Sequence, residues 1–210
     1  MPPERDGGHR ERLLEGAIAC LQEKGYARTS ARDIVAASGT NLASIGYHFG
    51  SKERLLNAAL IEAFQRWLKP LIALAAADPG PATPLERLAR TLQGILGTLE
   101  EKRPLLAACL EAWAQIPRSA DVRADLRRNY EDFRSVIAQM TRDAFAEVGA
   151  PDVDADTLAM VLIALFDGLI VHWQLDAEGT PSPERLLAAA EGAINALGAG
   201  ARTPPPPGVR

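Results

Sequence analysis

An all-α fold is predicted for this chain by three features of its sequence. Apolar residues recur every three or four positions along most of its 210 residues, which is the spacing of one helix face. No segment alternates apolar and polar residues for long enough to indicate a β-strand. Glycine and proline stand between the apolar patterns, where they begin and end helices.

The first predicted helix runs from about Arg10 to Lys24, and Gly25 ends it. Residues 1–9 are charged and carry no apolar pattern, so they are predicted to form a disordered arm. They also lack the apolar run of a signal peptide. The first helix would support the short helices that follow it.

Two short helices joined by a tight turn are predicted next. Ser30 and Asp33 have the spacing of a capping box, which marks the start of the first short helix. Gly39 can end that helix in the left-handed conformation, and Asn41 can cap a second helix that runs to about Tyr47. This arrangement is a helix-turn-helix. In DNA-binding proteins of this type, the second helix lies in the major groove.

The charge distribution agrees with one end of the protein contacting DNA. The whole chain has a formal net charge of −4, yet residues 24–54 contain five cations and only two anions. A basic patch on an acidic body is typical of a protein that contacts DNA with one end, although a solvated surface could have the same composition.

The segment between Thr29 and Leu55 resembles the DNA-binding domain of the TetR family of bacterial transcriptional regulators. The residues that match the family pattern are Thr29, Asp33, Ile34, Gly39, Ile45, His48, Phe49, Ser51, Lys52, Glu53 and Leu55. The segment departs from the pattern at Thr40, where an aliphatic residue is usual, and at Gly46, where tyrosine is usual.

The resemblance implies a sequence-specific transcriptional regulator, and a repressor by default. The two isolated cysteines, which form no disulfide pattern, predict a reducing cytoplasm as its compartment. The resemblance also implies a homodimer that binds a pseudo-palindromic double-stranded DNA operator. A small-molecule effector, bound in the C-terminal helical domain, would release the protein from that operator. No cofactor and no metal site are expected.

The residues expected to contact DNA lie in and beside the two short helices. The resemblance implies that the phosphate contacts are Thr29, Tyr47, His48 and Lys52, whose polar groups all suit an anion. The expected base-facing residues are Asn41, Leu42, Ala43 and Ser44, with Ser30 and Arg32 at their flank. Asparagine can bond adenine and apolar side chains can pack on thymine methyls, so at least one A·T pair per half-site is expected. The alternatives are a structural role for His48 and a core position for Leu42.

A long helix is predicted after Ser51, reaching as far as Ala77, with a kink or an end at residues 66–69 because Pro70 follows them. The proline- and glycine-containing loop at 78–83 is the clearest interior boundary. The predicted DNA-binding domain spans 10–55, and the larger helical domain for effector binding and dimerisation spans 56–199. The proline-rich tail at 200–210 is predicted to be disordered.

At least five further helices are predicted in the larger domain, at 84–99, 104–116, 120–148, 154–176 and 183–197, and three of these begin at a proline. The stretch from 157 to 175 is strongly apolar, but Asp167 and His172 interrupt it, so it is predicted to be a buried helix and not a membrane span. Cys20 and Cys109 lie far apart within apolar patterns and are predicted to be buried thiols.

The family resemblance also implies an effector pocket among the middle helices. The candidate lining residues are Leu106, Cys109, Trp113, Tyr130, Phe133, Ile137, Met140 and Phe166. A largely apolar effector is expected, although plain helical cores have the same composition. The last two helices are the expected dimer interface, as in the family; the alternative is that they form the core of a monomer.

The sequence also bears on two other classes of function, an enzyme and a protein that binds partners or DNA without sequence preference. An enzyme is not expected, since no nucleophile–base pair, acid pair or metal spacing is apparent and the three histidines are scattered. Asp167 and His172 are five residues apart and point to different faces of one helix, which favours a buried polar pair or an interface contact over catalysis. A helical interaction protein, or a protein that coats DNA without sequence preference, stays an open alternative.

Overall fold

The computed structural model of the chain describes residues 4–77 and 83–200. Within these ranges every regular element is an α-helix, as the apolar periodicity predicts. The helices are α1 (Glu4–Lys24), α2 (Ala31–Ser38), α3 (Leu42–Phe49), α4 (Lys52–Ala77), α5 (Pro84–Leu96), α6 (Leu99–Trp113), α7 (Ala120–Glu147), α8 (Ala155–Leu175) and α9 (Pro183–Gly200).

The helices α1, α2 and α3 pack together and onto the start of α4. Their shared core contains Leu13 of α1, Ile34 of α2, Ile45 of α3 and Leu55 of α4, all buried. Gly16 permits α1 and α2 to approach closely, because a Cβ there would lie 2.9 Å from the Ser38 Cβ. This unit is the predicted helix-turn-helix with its supporting helix.

The caps of α2 fall at the predicted residues. The Ser30 Oγ accepts a bond from the Asp33 N–H at 3.2 Å, and Asp33 Oδ2 accepts from the Ser30 N–H at 2.9 Å. Gly39 ends α2 in the left-handed conformation, with φ of 60°. The exposed Gly46 does not shorten α3, which continues to Phe49, two residues beyond the predicted end.

Of the two outcomes predicted at Pro70, a kink or an end of the fourth helix, the end was wrong, because α4 runs through Pro70 to Ala77 as the apolar pattern predicts. A proline removes one backbone hydrogen bond, and packing on either side can offset that loss. The neighbouring Trp67 and Leu68 are buried, and Trp67 Nε1 donates to Thr98 Oγ1 at 2.9 Å. Tertiary contacts therefore hold the helix together at this point.

Two other predicted boundaries need correction. The first helix begins at Glu4, so residues 4–9 are helical and not a disordered arm; residues 1–3 lie outside the described part. The sixth helix begins at Leu99 and contains Pro104, which was predicted to start it. Leu99 is completely buried, and this packing extends the helix one turn ahead of the proline. Of the predicted loop at 78–83 only Thr83, the N-cap of α5, is described, and of the predicted disordered tail at 200–210 only Gly200 is described, which belongs to α9.

In the C-terminal part, α7 packs between α4 and α8, α6 contacts α1 and α8, and α5 lies against α4 and α9. One continuous apolar core extends from α1 through α4 and α6 to Ile170 and Trp173 of α8. The predicted domain boundary between residues 55 and 56 falls inside α4, which belongs to both parts. This helix therefore connects the helix-turn-helix rigidly to the body.

Candidate nucleic-acid interface and internal cavity

The outer face of α3 carries apolar side chains that no residue of 4–77 or 83–200 covers. Leu42 is 54% exposed and Tyr47 is 74% exposed. Asn41 and Ala43 are exposed beside them, and Arg32 is exposed on α2. An exposed leucine and tyrosine on a short helix suit a surface that base edges and phosphates would cover.

Asn41 is engaged in capping α3. Its Oδ1 accepts bonds from the Ser44 N–H at 3.0 Å and the Ser44 Oγ at 3.2 Å. Both lone pairs of this oxygen are therefore used, and only the Nδ2 group is available to a base. A bidentate contact with adenine would require the cap to break.

Two of the predicted DNA contacts need correction. Thr29 is only 1% exposed, and its Oγ1 donates to the Gly25 carbonyl at 2.7 Å, so it ties the end of α1 to the start of α2. Ser44 is 9% exposed and lies on the buried face of α3. Neither hydroxyl is available to a ligand in this arrangement, because each sits on the packed side of its segment.

The remaining predicted contacts lie at or near the surface. Ser30 is exposed, and its Oγ donates to Asp33 Oδ2 at 2.5 Å. Lys52 is half-buried, and its Nζ donates to the Thr29 carbonyl at 3.2 Å. His48 is half-buried and stacks edge-on against Tyr47, with ring centroids 4.8 Å apart. Polar groups and rings from α2, α3 and α4 thus meet along one edge of the unit.

The charge near this edge is mainly positive. Arg28, Arg32 and Arg54 are exposed. The Lys24 Nζ lies 2.6 Å from Asp33 Oδ1, and this ammonium holds the pKa of the Asp33 carboxyl well below its usual range. Lys24 thus neutralises Asp33, the more buried of the two anions in this region. The exposed arginines therefore make the local electrostatic potential positive.

A cavity of about 520 Å³ lies in the body of the protein between α4, α6, α7 and α8. Six of the predicted pocket residues line it: Leu106, Cys109, Trp113, Tyr130, Phe133 and Phe166. Ile137 and Met140 do not, because the lining of α7 ends at Val136. Beyond that point α7 runs beside the start of α8, where Arg142 Nη1 lies 3.4 Å from Asp156 Oδ2.

One wall of the cavity was not predicted. Residues Leu60, Phe64, Leu68 and Ile72 of α4 line it at intervals of four, which is one face of the helix. The sequence pattern showed this apolar face, but nothing in it separates a wall of a cavity from an ordinary core. The size and lining suit a small, largely apolar ligand.

Asp167 of α8 contributes a half-buried carboxylate to the lining of the cavity. The Tyr130 phenol donates to Asp167 Oδ2 at 2.8 Å. Burial raises the pKa of Asp167 to about 6, and burial beside that carboxylate raises the pKa of Cys109 to about 12. His172 is exposed and does not pair with Asp167. The partner of the Asp167 carboxylate is Tyr130, which lies on α7.

Two hydrogen-bonded connections join the helix-turn-helix to the body. The Tyr26 hydroxyl donates to Asn57 Oδ1 at 2.7 Å, and Asn57 Nδ2 donates to Asp125 Oδ2 at 3.0 Å. The Ala27 N–H donates to Glu111 Oε2 at 2.7 Å. Asn57 is only 1% exposed, and Asp125 lies one residue before Leu126, which lines the cavity. The turn after α1 is therefore bonded to α4, α6 and α7.

One face of α8 is apolar and exposed. Met160, Val161 and Leu165 are 48%, 43% and 66% exposed. By length and composition α8 could cross a membrane, with 22% of its most apolar window buried. Such a helix also occurs in soluble proteins, where its exposed face is covered by another subunit.

Metal binding finds no support in the described part of the chain. Among those residues no three His, Cys, Asp or Glu side chains lie close enough together to hold an ion. Cys20 and Cys109 are both free thiols.

Comparison with known families matches both parts of the chain. Residues 13–59 match the model described as bacterial regulatory proteins, tetR family. Residues 84–199 match the model described as BetI-type transcriptional repressor, C-terminal.

Similar proteins carry related names. The chain is 28% identical over 166 residues to the HTH-type transcriptional repressor AcnR of Corynebacterium efficiens, covering 77% of this chain and 79% of that protein. It is 26% identical over 187 residues to the HTH-type transcriptional regulator BetI of Rhizobium meliloti, covering 89% and 88%.

Solved structures share the fold over nearly the full length. A putative transcriptional regulator from Pseudomonas aeruginosa is 26% identical, with a TM-score of 0.69, covering 96% of this chain and 94% of that chain. A putative transcriptional regulator from Saccharomonospora viridis, solved in complex with choline, is 29% identical with a TM-score of 0.60, covering 89% and 95%.

Proposed function

Because this chain belongs to the TetR family of bacterial regulatory proteins, and is therefore a DNA-binding transcriptional regulator and not an enzyme, we propose that it is a ligand-released repressor. Its dimer binds a pseudo-palindromic operator in the cytoplasm and blocks transcription there. A small organic molecule that fills the cavity between α4, α6, α7 and α8 releases it. Family members bind operator DNA and small-molecule effectors and are typically dimers.

The observation that carries this proposal is that α4 takes part in both sites. Its first residue, Lys52, donates to the Thr29 carbonyl at the start of α2, and Leu60 and Phe64 line the cavity two to three turns later. A ligand that binds better to a conformer in which α4 is displaced must weaken DNA binding by the same free energy, typically about 1–3 kcal/mol.

The DNA contacts are assigned to exposed or half-exposed residues. Leu42, Ala43 and Asn41 Nδ2 face the bases, and the exposed position of Leu42 supports this over a core role. The phosphate contacts are Ser30, Arg32, Tyr47, His48 and Lys52. Apolar contacts with thymine methyls favour at least one A·T pair in each half-site.

The dimer forms through α8 and α9. The exposed apolar face of α8 at Val161 and Leu165 lacks a cover within the described residues, and the exposed alanines of α9, from Ala188 to Ala190, permit close approach of a second helix pair. A twofold dimer would place two copies of α3 about one helical turn of DNA apart, roughly 34 Å.

The effector is small and largely apolar. The cavity of about 520 Å³ falls in the range of small-molecule sites, and apolar side chains form most of its wall. The relative solved with choline supports a small organic molecule as the effector of this chain.

Selection of DNA from a random pool by the purified protein tests the proposal. The expected product is an inverted repeat whose half-site centres are about ten base pairs or a multiple apart, bound at least about 10³ times more tightly than random duplex. A protein that only coats DNA would enrich no sequence and would lose affinity steeply with salt. Either a single half-site or no enrichment would contradict the proposal.

A further inference from the structure

The residues that line the cavity differ in exposure according to the helix that carries them. Every lining residue on α6 and α8 is buried or half-buried. The exposed lining residues all lie on α4 or α7, and they are Lys69, Ala73, Asp132 and Val136. As far as the described residues show, the cavity therefore meets the surface along the gap between α4 and α7.

A second space continues from this gap toward the helix-turn-helix. It is a cleft of about 340 Å³ between α1, α3, α4 and α7. Four residues line both the cavity and the cleft: Ile61 and Gln65 of α4, and Asn129 and Asp132 of α7. The shared lining means that the two spaces adjoin. The gap thus leads from the cavity to the surface beside His48 and Arg54.

We propose that the gap between α4 and α7 is the path by which a ligand enters and leaves the cavity, and that Gln65 and Asp132 flank its mouth. The inference concerns access for a ligand of any chemical class. It rests on the proposed function only in taking the cavity as the ligand site.

The first argument is the cost of the other routes. Protein interiors are closely packed, so a ligand can pass between two helices only where side chains can move aside. A path past α6 or α8 would displace buried residues such as Leu106, Ile163 and Ile170. Along the gap the outermost side chains are exposed, and exposed side chains change rotamer within nanoseconds. Passage there leaves the apolar core intact.

The second argument is the chemistry of the rim. Gln65 and Lys69 are polar residues on the α4 side, and Lys69 Nζ donates to Gln65 Oε1 at 3.1 Å. Asp132 is the exposed polar residue on the α7 side. No hydrogen bond or ion pair between described residues joins Asp132 to α4. A ligand therefore breaks no bond across the gap when it passes at this level.

The third argument is the position of the bond that ties the two helices together. Asn57 Nδ2 donates to Asp125 Oδ2 at 3.0 Å. Gln65 and Asp132 lie about two helical turns further along α4 and α7. The helices are thus held together near the helix-turn-helix. The mouth lies beyond this bond, where half-buried and exposed side chains separate the cavity from solvent.

Stopped-flow fluorescence with 1-aminoanthracene, an apolar probe whose emission changes when it leaves water, tests the inference on the full-length protein. Asp132→Trp places a large ring at the mouth. It is expected to lower the association and dissociation rate constants at least about fivefold each with Kd unchanged, because a narrower path slows passage in both directions and leaves the bound state as it was. Asp132→Ala should raise both rate constants, again without a change in Kd.

Ser135→Trp is the matched control, since Ser135 is exposed on the same helix and does not line the cavity. It should leave both rate constants unaltered. Unchanged rates in D132W, or equal slowing in S135W, would overturn the inference. Slower dissociation alone would also overturn it, because the new ring would then contact the bound probe. Failure of the unaltered protein to bind the probe would contradict access to the cavity altogether.

The two proposals fail in different experiments. Slowed exchange of the probe in D132W without any selected operator would support the path and contradict the proposed function. A selected operator together with unchanged probe rates in D132W would contradict the path alone.

Discussion

Asp167 is ionised at neutral pH in surroundings that stabilise its charge poorly. Its native pKa of about 6 lies above the value for an exposed aspartate, so the native state holds the proton more tightly than the unfolded chain. Burial of Asp167 therefore reduces stability increasingly as the pH rises from about 4 to about 6, and the loss is complete above that range. The neighbouring Tyr130 and Cys109 have raised pKa values and stay neutral throughout.

Asp167→Asn is predicted to raise the melting temperature of the ligand-free protein at pH 7.5, because the amide carries no charge to desolvate. At pH 4.5, where native Asp167 is protonated, the two proteins should melt at nearly the same temperature. Differential scanning calorimetry at both pH values measures this. Asp152→Asn, an exposed change just before α8, is the control. An equal gain for D167N at both pH values would contradict the assignment.

Asn41 has two functions that substitution can separate. Asn41→Asp retains an oxygen for the Ser44 N–H and should preserve stability, but it loses the Nδ2 donor and places a negative charge at the DNA surface. Asn41→Ala should lower the free energy of unfolding by about 1 kcal/mol through loss of the cap. Denaturant unfolding and operator binding, measured on both variants, check this. Normal operator binding by Asn41→Asp would contradict a contact between Asn41 Nδ2 and a base.

The bonds of single residues were predictable only when both partners are close in sequence. Ser30 and Asp33 are three residues apart, so their capping box could be read from spacing. Tyr130 and Asp167 are 37 residues apart on two helices, and their bond depends on how α7 meets α8. Thr29 is a different case, because its acceptor, the Gly25 carbonyl, is only four residues away, but the sequence does not show that the turn between them buries the hydroxyl.

At the scale of the helices, α4 is the element through which the two sites can influence each other. Its buried Asn57 joins Tyr26 in the turn after α1 to Asp125 on α7. A displacement of α7 or α4 by a ligand must therefore either move the turn or break one of these bonds. A broken bond to a buried polar group costs about 1–3 kcal/mol, which is comparable to a typical coupling free energy.

Tyr26→Phe is predicted to loosen the helix-turn-helix on the body, because Asn57 Oδ1 loses its donor while the ring still fills its place. A loss of about 1 kcal/mol would speed amide exchange in α2 and α3 by about fivefold. Hydrogen–deuterium exchange followed by mass spectrometry measures the change. The same substitution at exposed Tyr47 should leave these rates unchanged, and equal rates in the two variants would contradict the connection.

The helices themselves were predictable where local signals and packing agree. Apolar periodicity and caps predicted α2, α3 and the ends of α7 and α8 within a residue or two. Pro70 and Pro104 were misleading, because a proline near the surface costs one hydrogen bond and the packing of Trp67 and Leu99 outweighs it. Local helix propensity does not show whether tertiary packing offsets the hydrogen bond that a proline removes.

At the scale of the whole molecule, α8 is incompletely covered within one protomer. A long apolar helix with an exposed face is consistent with a subunit interface. Its outward Val161 and Leu165 lie on the side away from the cavity residues Ile163 and Phe166. The same helix would therefore hold a second protomer on one side and the effector on the other.

Leu165→Asp is predicted to convert the dimer to monomers, because it places a charge in the centre of the apolar face. Operator affinity should fall by about a hundredfold or more when the two reading helices are no longer linked. Sedimentation and operator binding measure both effects. Val148→Asp, at an equally exposed residue at the end of α7, should change neither. A dimeric L165D would contradict the interface.

The all-helical fold was the easiest property to predict. The hardest was which apolar residues face the cavity, which pack in the core and which face a second protomer. The apolar periodicity predicted an all-α protein, and the residues around Gly39 predicted the helix-turn-helix. Whether an apolar residue such as Leu60, Ile137 or Leu165 faces a cavity, a helix or a partner depends on the relative placement of helices distant in sequence. An apolar side chain has the same chemistry in all three environments, so the sequence alone does not distinguish them.

The bond between Glu111 and the Ala27 N–H has a consequence for how such a protein can diverge. The acceptor recognises the main chain, so position 27 can drift to any amino acid except proline, while Glu111, 84 residues away, cannot change freely. Gly25 is confined as well, because its φ of 79° disfavours a side chain and a Cβ there would lie 2.9 Å from Glu111 Oε1, on the carboxylate that accepts from the Ala27 N–H. Descendants of this protein could thus change their target DNA sequence by substitutions in α3 while they retain the bond between the turn after α1 and α6.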